Sequence, residues 1–192
     1  MSEFKQIGLF FGSFNPIHHG HLIIANYMLV EVPFDEVWFV VSPQNPHKRK
    51  ESLAGEYDRL EMVNLAIGNF DKFRALDIEF YLPRPSYTID TLIRLKEKYP
   101  QMKFSIIIGS DNLLNFHKWK NYQVILENFK IVVYPRKDFD VNIKHENIML
   151  IKAPIIEISS TYIREKLKKR KNVYFFLPEK VYQYIEESTL YR

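Results

Sequence analysis

The chain has 192 residues, 46% of them hydrophobic and 26% charged, enough for a real core and too apolar for a disordered polymer. It contains no cysteine, which removes disulfides, zinc–thiolate sites and thiol catalysis together and suits a reducing, cytoplasmic setting. The net charge of +4 suits an anionic ligand, and with no apolar run of about eighteen residues and no cleavable leader pattern, a soluble chain without a membrane span is expected.

In chain order, Ile7 to Phe11 is a short apolar run ending at Gly12, as a buried strand entering a ligand loop would. A helix is expected from about His21 to Val30, with Leu22, Ile23, Tyr27 and Val30 at helical spacings. Val37 to Val41 reads as a second strand, followed by a polar loop through Lys50 and a helix from about Tyr57 to Ile67. Leu76, Ile78 and Phe80 alternate with polar neighbours like a third strand. Ser86 to Tyr99 puts Ile89, Leu92, Ile93 and Tyr99 at helical spacing and stops at Pro100. Phe104 to Ile108 and Ile131 to Tyr134 read as two more buried strands.

Short strands alternating with helices imply an α/β architecture, a Rossmann-like doubly wound parallel sheet covered on both faces. No repeat or long linker interrupts it, so residues 1–192 read as one domain, with a small C-terminal helical lobe from about Ser159. Ligands of such sheets bind beyond the carboxyl ends of the strands. Three loops carry chemistry there: Gly12 to His21, Ser42 to Lys48 and Gly109 to Trp119. The basic run Arg164 to Lys171 reads as a solvated helix face with Ile163 and Leu167 inward; interleaved Glu165 favours that over a nucleic-acid patch.

The richest segment is Gly12-Ser13-Phe14-Asn15-Pro16-Ile17-His18-His19-Gly20-His21. Gly12 lets the chain turn off the strand, and Pro16 stiffens the approach to the helix. His18 and His21, three apart, project from one face of the first helical turn. Gly20 removes a side chain where a ligand could press on backbone, and the helix N-terminus favours phosphate. Two imidazoles there can donate to phosphate oxygens, and a bound anion would raise their protonated fraction. A closed metal site would need more ligands, and no cysteine is available. The glycines fit neither a dinucleotide fingerprint nor a P-loop. Late in the chain, Ile158-Ser159-Ser160-Thr161-Tyr162-Ile163-Arg164 offers good helix caps, and Ser160 and Arg164 share a face as a second anion site.

The histidine segment resembles the signature of the adenylyltransferase and cytidylyltransferase superfamily, in which His-x-Gly-His follows the first strand, and the late Ser-Ser-Thr-x-x-Arg segment fits that superfamily's second motif. Asn15 stands where many relatives carry aspartate. Gly109-Ser110-Asp111-Asn112 resembles the nucleotide-contacting turn of the bacterial nicotinate mononucleotide adenylyltransferases. Phe116-His117-Lys118-Trp119 and Pro85 to Thr91 look like the segments with which that family holds the nicotinate ring, and Pro46-His47-Lys48 like its basic loop over the phosphates. On composition alone Trp119 is a half-buried packing residue, and Thr88 and Thr91 are ordinary helix-start residues.

The resemblance, from Ile7 to about Glu187, implies adenylyl transfer from ATP to nicotinate mononucleotide, releasing pyrophosphate, with magnesium (Mg2+) carried in by ATP. It assigns His18, His21 and Arg164 to catalysis. Gly12, Ser13, Phe14, Gly20, Lys48, Gly109, Asp111, Ser159, Ser160 and again Arg164 would hold ATP. Asn15, Tyr87, Thr88, Asp111 and Trp119 would hold nicotinate mononucleotide. No protein-held metal, nucleic acid or membrane partner is implied, and a homo-oligomer is compatible. Rival readings are an adenylyltransferase acting on nicotinamide mononucleotide or phosphopantetheine, and a non-catalytic nucleotide- or nucleic-acid-binding module.

Overall fold

The computed structural model describes residues 4–43, 53–139, 141 and 143–192. Six strands form one parallel sheet: β1 (Lys5–Gly12), β2 (Glu36–Val41), β3 (Phe73–Leu76), β4 (Met102–Gly109), β5 (Lys130–Tyr134) and β6 (Ile148–Leu150). Their order is β3-β2-β1-β4-β5-β6, every pair parallel. The strand order therefore reverses between β1 and β4, and the crevice beyond their carboxyl ends is the natural ligand position. The helices are α1 (His19–Glu31), α2 (Glu56–Ile67), α3 (Thr88–Lys98), α4 (Ser110–Leu114), α5 (Tyr122–Asn128), α6 (Ser160–Lys168) and α7 (Glu179–Glu187).

Alternation along the strands splits the core in two. Ile7, Leu9, Trp38, Val40, Ile106, Ile108, Ile131 and Val133 belong to one buried cluster, which α3 completes with Ile89, Leu92 and Leu95. Their neighbours Phe10, Val37, Phe39, Val41, Ile107, Val132 and Tyr134 belong to the other, with α1 and α2. Ile163, Val181 and Ile185 bring α6 and α7 onto that second cluster, so the helical lobe shares the core of the sheet. Leu167 packs at its edge, as its spacing predicts.

Several sequence expectations are corrected. The Leu76–Phe80 alternation is not one strand: β3 pairs with β2 only as far as Leu76, and Ile78–Tyr81 is a 3₁₀ turn. The fully buried member of that turn is a polar one, Glu79, which accepts from the Ser86 and Thr91 hydroxyls. In α1 the buried face is Gly20, Ile24, Ala25 and Met28, whereas Ile23 and Val30 are exposed. Only Asn26 interrupts the apolar run from Leu22 to Val30, so spacing could not choose a face. Ile93 is likewise exposed. The edge strand β6 was not expected; at three residues it lies below what periodicity can register.

Candidate active site

The loop after β1 is built from the inside. A Cβ on Gly12 would lie 2.8 Å from the Phe14 ring, so glycine there makes room for Phe14 to fold back. Phe14 has φ of 44°, is 2% exposed, and meets the His21 ring edge-on with centroids 5.1 Å apart. Expected as a nucleotide contact, Phe14 is instead a core residue that backs His21. Arg59, 1% exposed on α2, ties this loop to the next: it donates to the carbonyls of Ser13 (2.7 Å), Ser42 (2.7 Å), Pro43 (2.9 Å) and Ala54 (3.0 Å). Four carbonyls satisfy a charge that burial otherwise disfavours, and burial holds its pKa below the ordinary value.

His18 caps α1 in extended conformation, and its backbone N–H donates to His21 Nδ1 at 3.3 Å. The two imidazoles stack, centroids 3.8 Å apart and planes 28° from parallel. A Cβ on Gly20 would come within 3.0 Å of the His18 ring, so the glycine houses that ring as well as opening backbone. His18 is 4% exposed and its Nδ1 has no hydrogen-bond partner. Burial, with the nearby Arg136 and His19 charges adding, holds its pKa down at about 3.

That depression is a stability statement. The unfolded chain takes up a proton below about 6.5 that buried His18 refuses, so His18's contribution is complete above that pH and lost as pH falls toward 3. Burial raises the Glu79 carboxyl, which acts in the opposite sense: its contribution is lost as pH rises through the carboxylate range. The wild type should therefore lose more melting temperature than His18→Asn between about pH 7 and about pH 5. Parallel melting curves for the two proteins would contradict the assignment.

The second motif closes on the first. Ser159 Oγ accepts from the Tyr162 N–H at 3.2 Å, the cap expected of it. Ser160 Oγ donates to the Pro16 carbonyl at 2.9 Å, and Arg164 Nη1 to the Asn15 carbonyl at 2.8 Å. His18, His21, Ser159, Ser160, Arg164 and Arg136 line one cavity of about 390 Å³, together with Ser13 and Asn15. Arg136 was not foreseen. It stands two residues past β5, its guanidinium 4.9 Å above the Tyr134 ring, donates to the Tyr134 hydroxyl at 2.9 Å, and lies 3.9 Å from Asp111 Oδ1. A cation just beyond a strand end, on the rim already singled out, was the signal available in sequence.

Beside it, over the ends of β1 and β4, lies a cavity of about 150 Å³ lined by Gly12, Gly109, Tyr87, Thr88, Trp119 and Glu79. Tyr87 caps α3, whose first turn faces this space with Thr88. Trp119 is half-buried against Phe116, centroids 5.3 Å apart. Lys120 also lines this cavity, over the Tyr87 ring at 4.8 Å and paired with Asp90 at 3.0 Å. Asn15, expected with these ring-binding residues, lines the histidine cavity instead. Its Oδ1 accepts from Ala54 N–H at 3.1 Å and Tyr191 Oη at 2.7 Å, because the loop turns its side chain inward. Lys48 lies outside the described residues.

The cytidylyltransferase-like family model matches residues 9–166. The "probable nicotinate-nucleotide adenylyltransferase" of Flavobacterium psychrophilum is 52% identical over 191 residues, covering 97% of this chain and 99% of its own. The protein of the same description from Bacteroides fragilis is 48% identical over 186 residues, 96% of this chain and 92% of its own. The chain belongs to the nicotinate-nucleotide adenylyltransferases of the cytidylyltransferase-like family.

At the level of fold, the Plasmodium falciparum nicotinic acid mononucleotide adenylyltransferase complexed with NaAD superposes with a TM-score of 0.81 at 24% identity, covering 97% of each chain. The same enzyme complexed with APC gives 0.80 at 22% identity, again over 97% of each. In this member of the family, the two sequence motifs expected to meet do so at the histidine cavity. Only through the fold does Arg136 join them there, Arg59 brace the loop and Glu79 reach the neighbouring cavity. Among the described residues no helix is long and apolar enough to cross a membrane.

Proposed function

We propose that the two cavities together transfer the adenylyl group of ATP to the phosphate of nicotinate mononucleotide, giving nicotinate adenine dinucleotide and pyrophosphate. The observation that carries this is the stacked His18–His21 pair sharing one cavity with Arg164 and Arg136, next to a second cavity lined by Trp119 and the start of α3. In the reaction an acceptor phosphate oxygen forms a bond to the α-phosphorus. The bond from that phosphorus to the bridging oxygen breaks, and its electron pair leaves with pyrophosphate.

The attacking oxygen is already anionic near neutral pH, so no protein nucleophile is needed; the task is positioning and neutralising charge. His18 and His21 serve the α-phosphate and the transition state. Ser159, Ser160 and Arg164 hold the remaining phosphates with Arg136, and Lys48 keeps the phosphate role that the resemblance implies. Gly12, Ser13, Gly20 and Gly109 give the nucleotide close approach to backbone. Tyr87, Thr88 and Trp119 take the pyridine ring. Asp111, whose Oδ1 is buried without a hydrogen bond, is suited to a ribose hydroxyl or a metal-bound water.

Among the described residues no group of three or more histidines and carboxylates is placed to hold a metal. On this reading magnesium arrives with ATP and would supply charge neutralisation on the triphosphate. The shared core of sheet and lobe supports reading the chain as one working unit.

Arg164→Lys should weaken ATP binding by about tenfold or more with the fold intact, since a point charge cannot both hold the Asn15 carbonyl and grip phosphate oxygens as a fork does. Calorimetric titration showing unchanged nucleotide affinity would remove Arg164 from the site. The reading as a whole is tested by pyrophosphate release from ATP. Release with nicotinate mononucleotide and none with RNA in its place supports it; release driven only by phosphopantetheine, or by no small acceptor, would replace it.

A further inference from the structure

The loop carrying the histidines is held from a distant part of the chain. Tyr191, four residues past the end of α7, has φ of 64°, a left-handed conformation uncommon outside glycine. The turn that presents it is built: Ser188 Oγ donates to the Ile185 carbonyl at 3.0 Å and accepts from the Leu190 N–H at 3.3 Å. α7 is seated in turn, with Tyr184 Oη donating to Asp58 Oδ1 on α2 at 2.8 Å. The Tyr191 ring packs against the core cluster, and its hydroxyl donates to Asn15 Oδ1 at 2.7 Å.

That acceptor is shared. The same Asn15 oxygen takes the Ala54 N–H at 3.1 Å, and Ala54's carbonyl takes Arg59 Nε at 3.0 Å. Asn15's own carbonyl takes Arg164 Nη1 at 2.8 Å, and the next carbonyl, Pro16, takes Ser160 Oγ at 2.9 Å. Two residues further on stands His18. One side chain therefore touches the point at which the β1 loop, the start of α2 and the second motif all meet, although it lines neither cavity.

We propose that Tyr191 is a positioning residue of the adenylyl-transfer site: its hydroxyl fixes Asn15, and through Asn15 the backbone that anchors Arg164 and leads into the His18–His21 pair. The charged and titratable groups around it are Arg164, Arg59, Asp58 and Tyr184; burial pushes its hydroxyl up, so it stays a donor across the working pH range.

The proposal rests on the proposed adenylyl transfer only for its turnover readout, so a second readout is chosen that needs no activity. Tyr191→Phe keeps the ring and removes the hydroxyl. Turnover with ATP and nicotinate mononucleotide should fall roughly tenfold, the worth of one well-placed hydrogen bond, with the acceptor KM little changed because Tyr87 and Trp119 line the other cavity. The same loss should be nearly absent in an Asn15→Ala background, since the two residues act through one contact.

Independently, the His18 ring, followed by NMR titration, should become more hydrated and shift its midpoint upward from about 3 toward 6.5, with Arg136, His19 and His21 as its unchanged neighbours. Wild-type turnover in Tyr191→Phe, or a loss that adds in full to that of Asn15→Ala, would overturn the proposal. If the wild type proves inactive on nicotinate mononucleotide, the functional reading fails by itself. An unmoved His18 midpoint in Tyr191→Phe would then overturn the positioning role separately.

Discussion

His21→Ala should lower turnover by about 10² to 10³, roughly 3 to 4 kcal/mol, while ATP affinity changes far less. The geometry explains the asymmetry. His21 Nδ1 accepts the His18 N–H at 3.3 Å, so the neutral ring carries its hydrogen on Nε2. Phe14 edge-on at 5.1 Å and His18 stacked at 3.8 Å hold the ring plane. An imidazole fixed in this way is preorganised for charge that grows during the reaction, and Arg164 and Arg136 line the same cavity as the proposed holders of ground-state phosphate. Steady-state kinetics decide it: normal turnover with only a raised ATP KM would make His21 a binding residue and no more.

The second large effect is the choice between acid and amide. Nicotinate mononucleotide should be preferred over its amide by roughly 10² or more in kcat/KM. In α3 the N–H groups of Asp90 and Thr91 return to the Tyr87 carbonyl, while the first N–H groups of a helix have no intrahelical acceptor. They suit both oxygens of a carboxylate and leave an amide NH₂ facing donors. Glu79 lines the same cavity and would oppose an anion, but its oxygens already accept from Ser86 at 2.9 Å and Thr91 at 2.8 Å, and burial raises its pKa toward the neutral form. Lys120 adds a cation on the acid's side, partly offset by Asp90. Trp119 offers a ring face to either substrate, so Trp119→Ala should weaken both and leave their ratio nearly unchanged. Equal use of the two by the wild type, or a preference for the amide, would mean that the acceptor is wrongly assigned.

The parts of this account legible in sequence were those encoded locally. The short apolar runs marked four buried strands and a sheet covered on both faces in advance, and the spacings of His18 with His21 and Ser160 with Arg164 anticipated shared faces. What escaped was set by tertiary contact. Phe14 and Asn15 sit inside the motif, and nothing in their spacing says that one would turn into the core and the other toward Tyr191. Arg59 and Glu79 are ordinary charged residues in sequence; only the fold buries them where carbonyls or hydroxyls converge. Arg136 follows a strand that was correctly expected, but the loop beyond β5 carries no glycine, and its histidine, His145, stands nine residues further on. The face of α1 was undecidable because nearly every position on it is apolar.

The most direct test of the central claim follows one phosphorus atom. With ATP labelled at the α-phosphate and nicotinate mononucleotide as acceptor, the label should appear in nicotinate adenine dinucleotide, with one pyrophosphate released per dinucleotide formed. Label appearing only in AMP, or remaining in ATP while nicotinate mononucleotide is unchanged, would contradict it.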